Sequence, residues 1–174
     1  MTDASAPVSL LYAAGFLVAL YLVSESLISF RNERRLRARG AIEAPDDVWQ
    51  VMAVTYPLAF AAMFAEGLAR GGPSRGVFAA GFAVWVLAKV LKSWAIVALG
   101  ERWSFRVLVL PGAPLVTHGP YRWLRHPNYV AVAGELAGAA AMMSAPIAGV
   151  VFTLAFIEIM RRRIRVEERL LGLS

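Results

Sequence analysis

The chain has 174 residues, 59% of them hydrophobic, a formal net charge of +6, two histidines and no cysteine. Soluble domains are roughly 45–50% apolar, so this content, with a mean hydropathy of +0.58, excludes an ordinary soluble domain. The absent cysteines exclude a disulfide framework or thiolate metal site, and the two histidines are too few for a typical zinc set; no metal and no nucleic acid partner are expected.

In chain order, residues 8–30 form an apolar run long enough to cross a membrane, since about 20 residues span the hydrocarbon core. The run ends in RNERRLRARG, and no Lys or Arg precedes it in residues 1–9, the reverse of a secretory signal. It is therefore expected to be a retained anchor. Pro45, Asp46 and Asp47 announce a second span over about residues 48–69, and RGGPSR at residues 70–75 turns the chain into a third over about residues 76–100. A polar loop, residues 101–127, follows. The apolar stretch 128–160 is too long for one crossing and breaks at Ser144, Ala145 and Pro146, giving a hairpin of two short spans, about 128–144 and 146–160. Residues 161–174 form a charged helix end. The expected fold is an all-α, polytopic transmembrane helix bundle of about five spans in one domain, 1–174.

Fourteen of the eighteen basic residues follow spans one, three and five. The positive-inside rule then places the N-terminus outside and the C-terminus in the cytoplasm, in a multi-pass integral membrane protein. Both polar clusters, HGPYRWLRHPNY at residues 118–129 and RxxxEE at Arg163, Glu167 and Glu168, fall on the cytoplasmic face. From His126 to Arg163 is 37 residues, and two helices of about 18 residues rise and return roughly 27 Å each, so both clusters emerge at one interface. Such clusters can hold one polar ligand, or can serve as interfacial anchors and a solvated tail with i,i+4 ion pairs.

The residues LVTHGPYRWLRHPNY, an apolar hairpin and RIRVEERLL resemble the isoprenylcysteine carboxyl methyltransferase family, including its small bacterial members, over about residues 99–171. The resemblance implies an integral-membrane enzyme using S-adenosyl-L-methionine. It implies a cofactor site at Leu115, Val116, Gly119, Pro120, Tyr121, His126, Pro127, Tyr129, Glu167 and Glu168, with Arg163 ahead of the acidic pair. One position departs from the pattern RHPxYxG: residue 131 is alanine. Chemically, such a cofactor asks for an apolar slot, a carboxylate for hydroxyl or ammonium groups, and a cation for its carboxylate. Glu167 or Glu168 can serve as the first charge, and His126, Arg125 or Arg163 as the second. Arg163, Arg125 and Glu135 are candidate catalytic residues.

Ionisable groups within spans are costly and usually functional or paired, so Glu135 either faces substrate or bridges to Lys92 or Lys89. Glu158, near the end of span five, is open to the same two readings. Glu66 and Arg70 suit a rim ion pair, and Gly134 with Gly138 a close helix contact. Trp49, Trp103 and Trp123 suit the interfacial belt, with Trp123 also able to line the pocket. Tyr12, Tyr21, Met52 and Met63 suit packing or lipid contact. Sixteen arginines against two lysines hint at a GC-rich bacterial genome, hence a bacterial inner membrane.

The expected function is O-methylation of a lipophilic acceptor drawn from the membrane lipid phase. The acceptor would be a prenylated cysteine carboxylate, or a phenolic, resorcinol or pyrone lipid. Alternatives are an NADPH-dependent sterol-reductase-like enzyme and a non-enzymatic scaffold whose arginine tail binds anionic lipid. The chain lacks GxGxxG and GxxxxGK[ST] motifs, which argues against Rossmann and P-loop nucleotide sites.

Overall fold

The computed structural model describes residues 5–173; the outermost ends of the expected domain, 1–4 and 174, lie outside the described residues. Five helices carry the fold: α1 (Ser5–Ala38), α2 (Trp49–Ala69), α3 (Arg75–Leu99), α4 (Pro127–Met142) and α5 (Pro146–Leu170). The starts of α2 to α5 each have a local cause. Asp47 Oδ1 accepts from the Trp49 backbone N–H at 3.1 Å, and Ser74 caps α3 by accepting from Val77 N–H, while prolines open α4 and α5 where their missing N–H costs nothing.

The arginine-rich segment after the first span continues α1 as helix through Ala38. The expected all-α fold also carries one small ribbon, β1 (Ile42–Glu43) antiparallel to β2 (Leu108–Val109), pairing Ile42 with Val109 and Glu43 with Leu108. It clips the α1–α2 connection to the long polar loop. Arg106 reinforces it by bonding Glu43 at 2.6 Å and lying 3.7 Å over the Trp49 ring, which therefore supports the loop.

Helices α1, α2 and α3 are each long and apolar enough to cross a membrane. The last two form the expected hairpin, but α4 has 16 residues, about 24 Å, and α5 runs unbroken from its apolar start into the charged tail. Between them the chain reverses at Ser144, whose φ of 57° is left-handed. Glu66 holds this turn: its carboxylate accepts from the Ile147 and Ala148 N–H groups at 3.1 and 2.7 Å, the natural place for a negative charge at a helix start. It also pairs with Arg70 at 3.9 Å, as its spacing suggests.

The closest helix pair is α3 and α4. A Cβ on Gly138 would stand 2.6 Å from the Trp85 backbone nitrogen, and one on Gly81 would stand 2.3 Å from Met142 N, so glycine lets the two backbones touch. Around this contact lies a core of Met63, Trp85, Leu136, Met142 and Phe156. The outward faces are apolar too, with Phe16, Leu87 and Val97 exposed, as befits a protein solvated by lipid.

Candidate functional site: two cavities meeting at Tyr129 and Arg163

Helix α1 turns a polar stripe inward at i, i+4 and i+7: Glu25, Ser29 and Asn32, all buried. Asn32 donates to the Trp103 and Gly100 carbonyls at 2.8 and 3.2 Å, and Ser29 Oγ accepts from Phe105 N–H at 2.8 Å. These bonds fix residues 100–105 against α1. Trp103, expected in the interfacial belt, is instead buried at 3% exposure and donates to Asn128 Oδ1 at 3.3 Å, because α1 draws its backbone into the bundle. Trp123 is exposed and packs on Trp94.

Above the helix ends, the polar loop and α5 enclose an open cavity. Its lining includes Leu115, Val116, Tyr121, Arg125, His126, Tyr129, Arg163 and Glu167. Four other residues expected in the cofactor site are near it but do not line it. Gly119, at φ +60°, lets the chain pass Trp94 and Ala98; Pro120 and Pro127 are buried supports; Glu168 bonds His126 Nε2 at 3.1 Å. Arg125 reaches Glu168 only at 4.0 Å and stays largely in solvent.

A second cavity of about 320 Å³ lies within the bundle and is mainly apolar, lined by Leu22, Met52, Ala53, Val132 and Phe156 among others. The two cavities share five residues: Trp103, Ser104, Asn128, Tyr129 and Arg163. Arg163 is the hub of this wall. Its Nε donates to Tyr129 Oη at 2.9 Å, Tyr129 donates to Glu167 Oε2 at 2.8 Å, and Nη1 pairs with Asp47 at 3.4 Å and touches Met52 Sδ at 3.5 Å. Nη2 makes no hydrogen bond to a described residue. Burial opposes the charge of Arg163, but Tyr129, Asp47 and Glu167 outweigh it and raise its pKa above the ordinary arginine value. Burial, aided by the Glu167 charge, also raises the Tyr121 phenol, which stays protonated. His126 Nδ1 lies 3.9 Å from Glu167, so the two clusters on either side of the hairpin do meet.

Deeper in the bundle, Glu135 is fully buried. It pairs with Lys89 at 3.1 Å and Lys92 at 3.2 Å, and both lysines also hold Glu25, at 2.8 and 2.7 Å. Two carboxylates and two ammonium groups thus balance, tying α1, α3 and α4 together. Tyr56 of α2 donates to Glu135, and Tyr56 and Lys92, unlike Glu135, line the apolar cavity. Tyr21 packs on Trp85 with the Lys89 ammonium 4.9 Å from its ring. Glu158 remains half-exposed and pairs with Arg162. Asn128, Tyr56 and Glu25 carry no site assignment from the sequence, and Asp47 only that of a helix start. An acid inside the first apolar run was the available signal for Glu25.

Residues 80–172 match the profile of the isoprenylcysteine carboxyl methyltransferase (ICMT) family. A Bacillus subtilis protein, the uncharacterized YpbQ, is 28% identical over 158 residues, covering 89% of this chain and 94% of that protein. A Tribolium castaneum protein-S-isoprenylcysteine O-methyltransferase is 33% identical over 93 residues, which is 52% of this chain and 33% of the insect protein. The structure of the eukaryotic intramembrane Ras methyltransferase ICMT aligns at a TM-score of 0.59 and 27% identity, over 70% of this chain and 45% of that one. The chain therefore spans nearly all of its bacterial relative and less than half of the eukaryotic structure. With the family profile matching more than half of its residues and its fold aligning with a solved member, the chain belongs to the isoprenylcysteine carboxyl methyltransferase family.

Proposed function

We propose that this chain is an integral-membrane O-methyltransferase that uses S-adenosyl-L-methionine to methylate a lipophilic acceptor. The observation that carries the reading is the junction of two unlike cavities at Tyr129 and Arg163, one lined by charged and apolar side chains together and lying beyond the helix ends, the other mainly apolar and inside the bundle. In the accompanying topology the chain crosses a bacterial inner membrane five times, with its N-terminus outside and its C-terminus and polar cavity in the cytoplasm.

The donor set fits the cofactor. Leu115, Val116 and Tyr121 offer an apolar slot, Glu167 a carboxylate for hydroxyl or ammonium hydrogens, and His126 and Arg125 positive or donor groups for a carboxylate. When bound, S-adenosyl-L-methionine supplies a methyl group activated on a sulfonium. The protein's share is alignment and exclusion of water, worth up to about 7–11 kcal/mol in favourable cases. Arg163 orients the acceptor oxygen through its unengaged Nη2 donors while Asp47 and Tyr129 hold the guanidinium in place. A prenylcysteine carboxylate arrives ionised and needs only that. A phenolic, resorcinol or pyrone acceptor must lose a proton, and the hydrogen-bonded pair of Tyr129 and Glu167 provides the base. Glu135 acts as a positioning residue, holding Tyr56 and Lys92 at the cavity wall.

Incubating purified protein with methyl-labelled S-adenosyl-L-methionine and a membrane lipid extract tests the reading. Label in a lipid-soluble, oxygen-methylated product is expected. Saturable NADPH binding without S-adenosyl-L-methionine binding overturns it.

A further inference from the structure

The buried charge cluster of α1, α3 and α4 turns one of its two cations to the apolar cavity. Lys89 and Lys92 each pair with both Glu25 and Glu135, but Lys92 lines the cavity beside Arg163 and Lys89 does not. Lys89 instead faces the rings of Tyr21 and Trp85, at 4.9 and 5.5 Å. Charge balance accounts for two lysines opposite two carboxylates, yet not for one of them standing at the wall of a mainly apolar void. An ammonium group has three donors. Lys92 Nζ gives one to Glu25 at 2.7 Å and one to Glu135 at 3.2 Å, and its third has no hydrogen-bond partner among the described residues. Lys92 is 2% exposed, so an unmet donor there is costly unless an oxygen enters the cavity to accept it. The neighbouring hydroxyls on the same wall do not compete for this role as donors. Tyr56 spends its hydrogen on Glu135, and Ser26 spends its own on the Leu22 carbonyl at 2.7 Å.

We propose that the third donor of Lys92 binds a second oxygen of the methyl acceptor, so that the site selects a ring head group with two oxygens in a 1,3 relation, a resorcinol or pyrone, over a simple phenol or a prenylcysteine. This conclusion rests on the methyltransferase reading above. The first oxygen lies at the Tyr129–Arg163 wall, where the methyl group is received. Tyr129 and the Glu135 that holds Lys92 stand six residues apart, about 9 Å along α4. Two oxygens at positions 1 and 3 of a six-membered ring, with a hydrogen bond at each end, span about 10 Å. A prenylcysteine with its carboxylate at Arg163 sends hydrocarbon past Lys92 and leaves that donor unmet. A site built to bond an oxygen rejects the analogue that lacks it, whereas an apolar site rejects an added hydroxyl only weakly.

The test uses bilayer-reconstituted protein with methyl-labelled S-adenosyl-L-methionine and four probes: 5-pentadecylresorcinol, 4-hydroxy-6-pentadecyl-2-pyrone, 3-pentadecylphenol and S-farnesyl-N-acetylcysteine. The wild type is expected to prefer a two-oxygen ring over the phenol by roughly tenfold or more in kcat/KM, a ratio that needs no variant. The double variant of Lys92→Met with Glu25→Gln removes one charge of each sign and leaves Lys89 paired with Glu135; it is expected to bring that ratio close to one. Lys89→Met with Glu25→Gln removes the same charges, keeps Lys92 on Glu135, and is expected to preserve the ratio. A wild-type ratio near one, no change in the Lys92 pair, or equal change in both pairs overturns the second-oxygen contact while leaving the methyltransferase reading intact. Label on farnesylcysteine or on a lipid extract without label on the resorcinol or the pyrone does the same. No label on any probe or on the extract with the wild type overturns that reading and the role of Lys92 with it.

Discussion

Glu167 and Glu168 are neighbours in sequence but not in role, and the difference is measurable. Glu167 faces the polar cavity, bonds Tyr129 at 2.8 Å and has a side chain 34% exposed, whereas Glu168 turns to His126 at 3.1 Å and does not line the cavity. Glu167→Gln preserves shape and removes charge. A charge-assisted hydrogen bond contributes about 1.5–3 kcal/mol, and partial exposure places this one toward the lower end, about 1.5–2 kcal/mol, which is roughly a tenfold to thirtyfold weaker Kd for S-adenosyl-L-methionine. Glu168→Gln only loosens the hold on His126, a contact of about 1 kcal/mol or less, so a loss under roughly fivefold is expected. Calorimetric titration of bilayer-reconstituted variants measures both, with thermal unfolding confirming that each is folded. Equal losses, or a larger loss at Glu168, would refute the reasoning.

Three further outcomes follow from the packing and the charges. Gly138→Ala drives a Cβ into the Trp85 backbone and is expected to cost about 1–3 kcal/mol, lowering the unfolding temperature more than Gly134→Ala, whose nearest neighbour is a side-chain methyl at 3.0 Å; equal shifts would contradict the close contact. Glu25→Gln leaves Lys89 and Lys92 sharing one carboxylate and is expected to destabilise by about 3–5 kcal/mol in detergent, well beyond the loss from Glu101→Gln at the exposed Arg35 pair. Burial raises the Glu43 carboxyl, but hydrogen bonds and charge from Arg106 and Arg37 outweigh it and hold its pKa below 4.5. A depressed folded-state value means that this stabilisation is full above pH 4.5 and fades as pH falls through the lower value, so wild type and Glu43→Gln should differ in unfolding temperature near neutral pH and converge in acid. A gap that persists or widens in acid would reverse that sign.

The site was legible where it is local in sequence or set by helix arithmetic. The motif around His126 and the acidic pair after Arg163 stand two helix lengths apart, so folding the hairpin was enough to bring them together, and His126 does reach Glu167 at 3.9 Å. The cost of an unpaired charge in lipid left Glu135 two readings, facing substrate or bridging to Lys92 or Lys89, and the structure shows the bridge to both lysines. Asp47 is a helix-start signal in the sequence and caps α2 in the structure; its second oxygen, which accepts from Val107 N–H, and its pairing with Arg163 depend on how the loop and α5 return over it. The same holds for Trp103, whose position near a span end suggested the interface until the Asn32 side chain of α1 claimed its carbonyl.

Hydrophobicity, arginine placement and motif spacing by themselves determined a helical membrane protein with both polar clusters at one end, because lipid forces the backbone into helices and fixes how far each one travels. Which of two adjacent carboxylates faces the cavity, which helix supplies the fourth buried charge, and where two voids share a wall were decided only by the tertiary packing. Those choices depend on the rotation of each helix about its own axis, which the close approach of α3 to α4 and the inward stripe of α1 set through contacts between residues far apart in the chain.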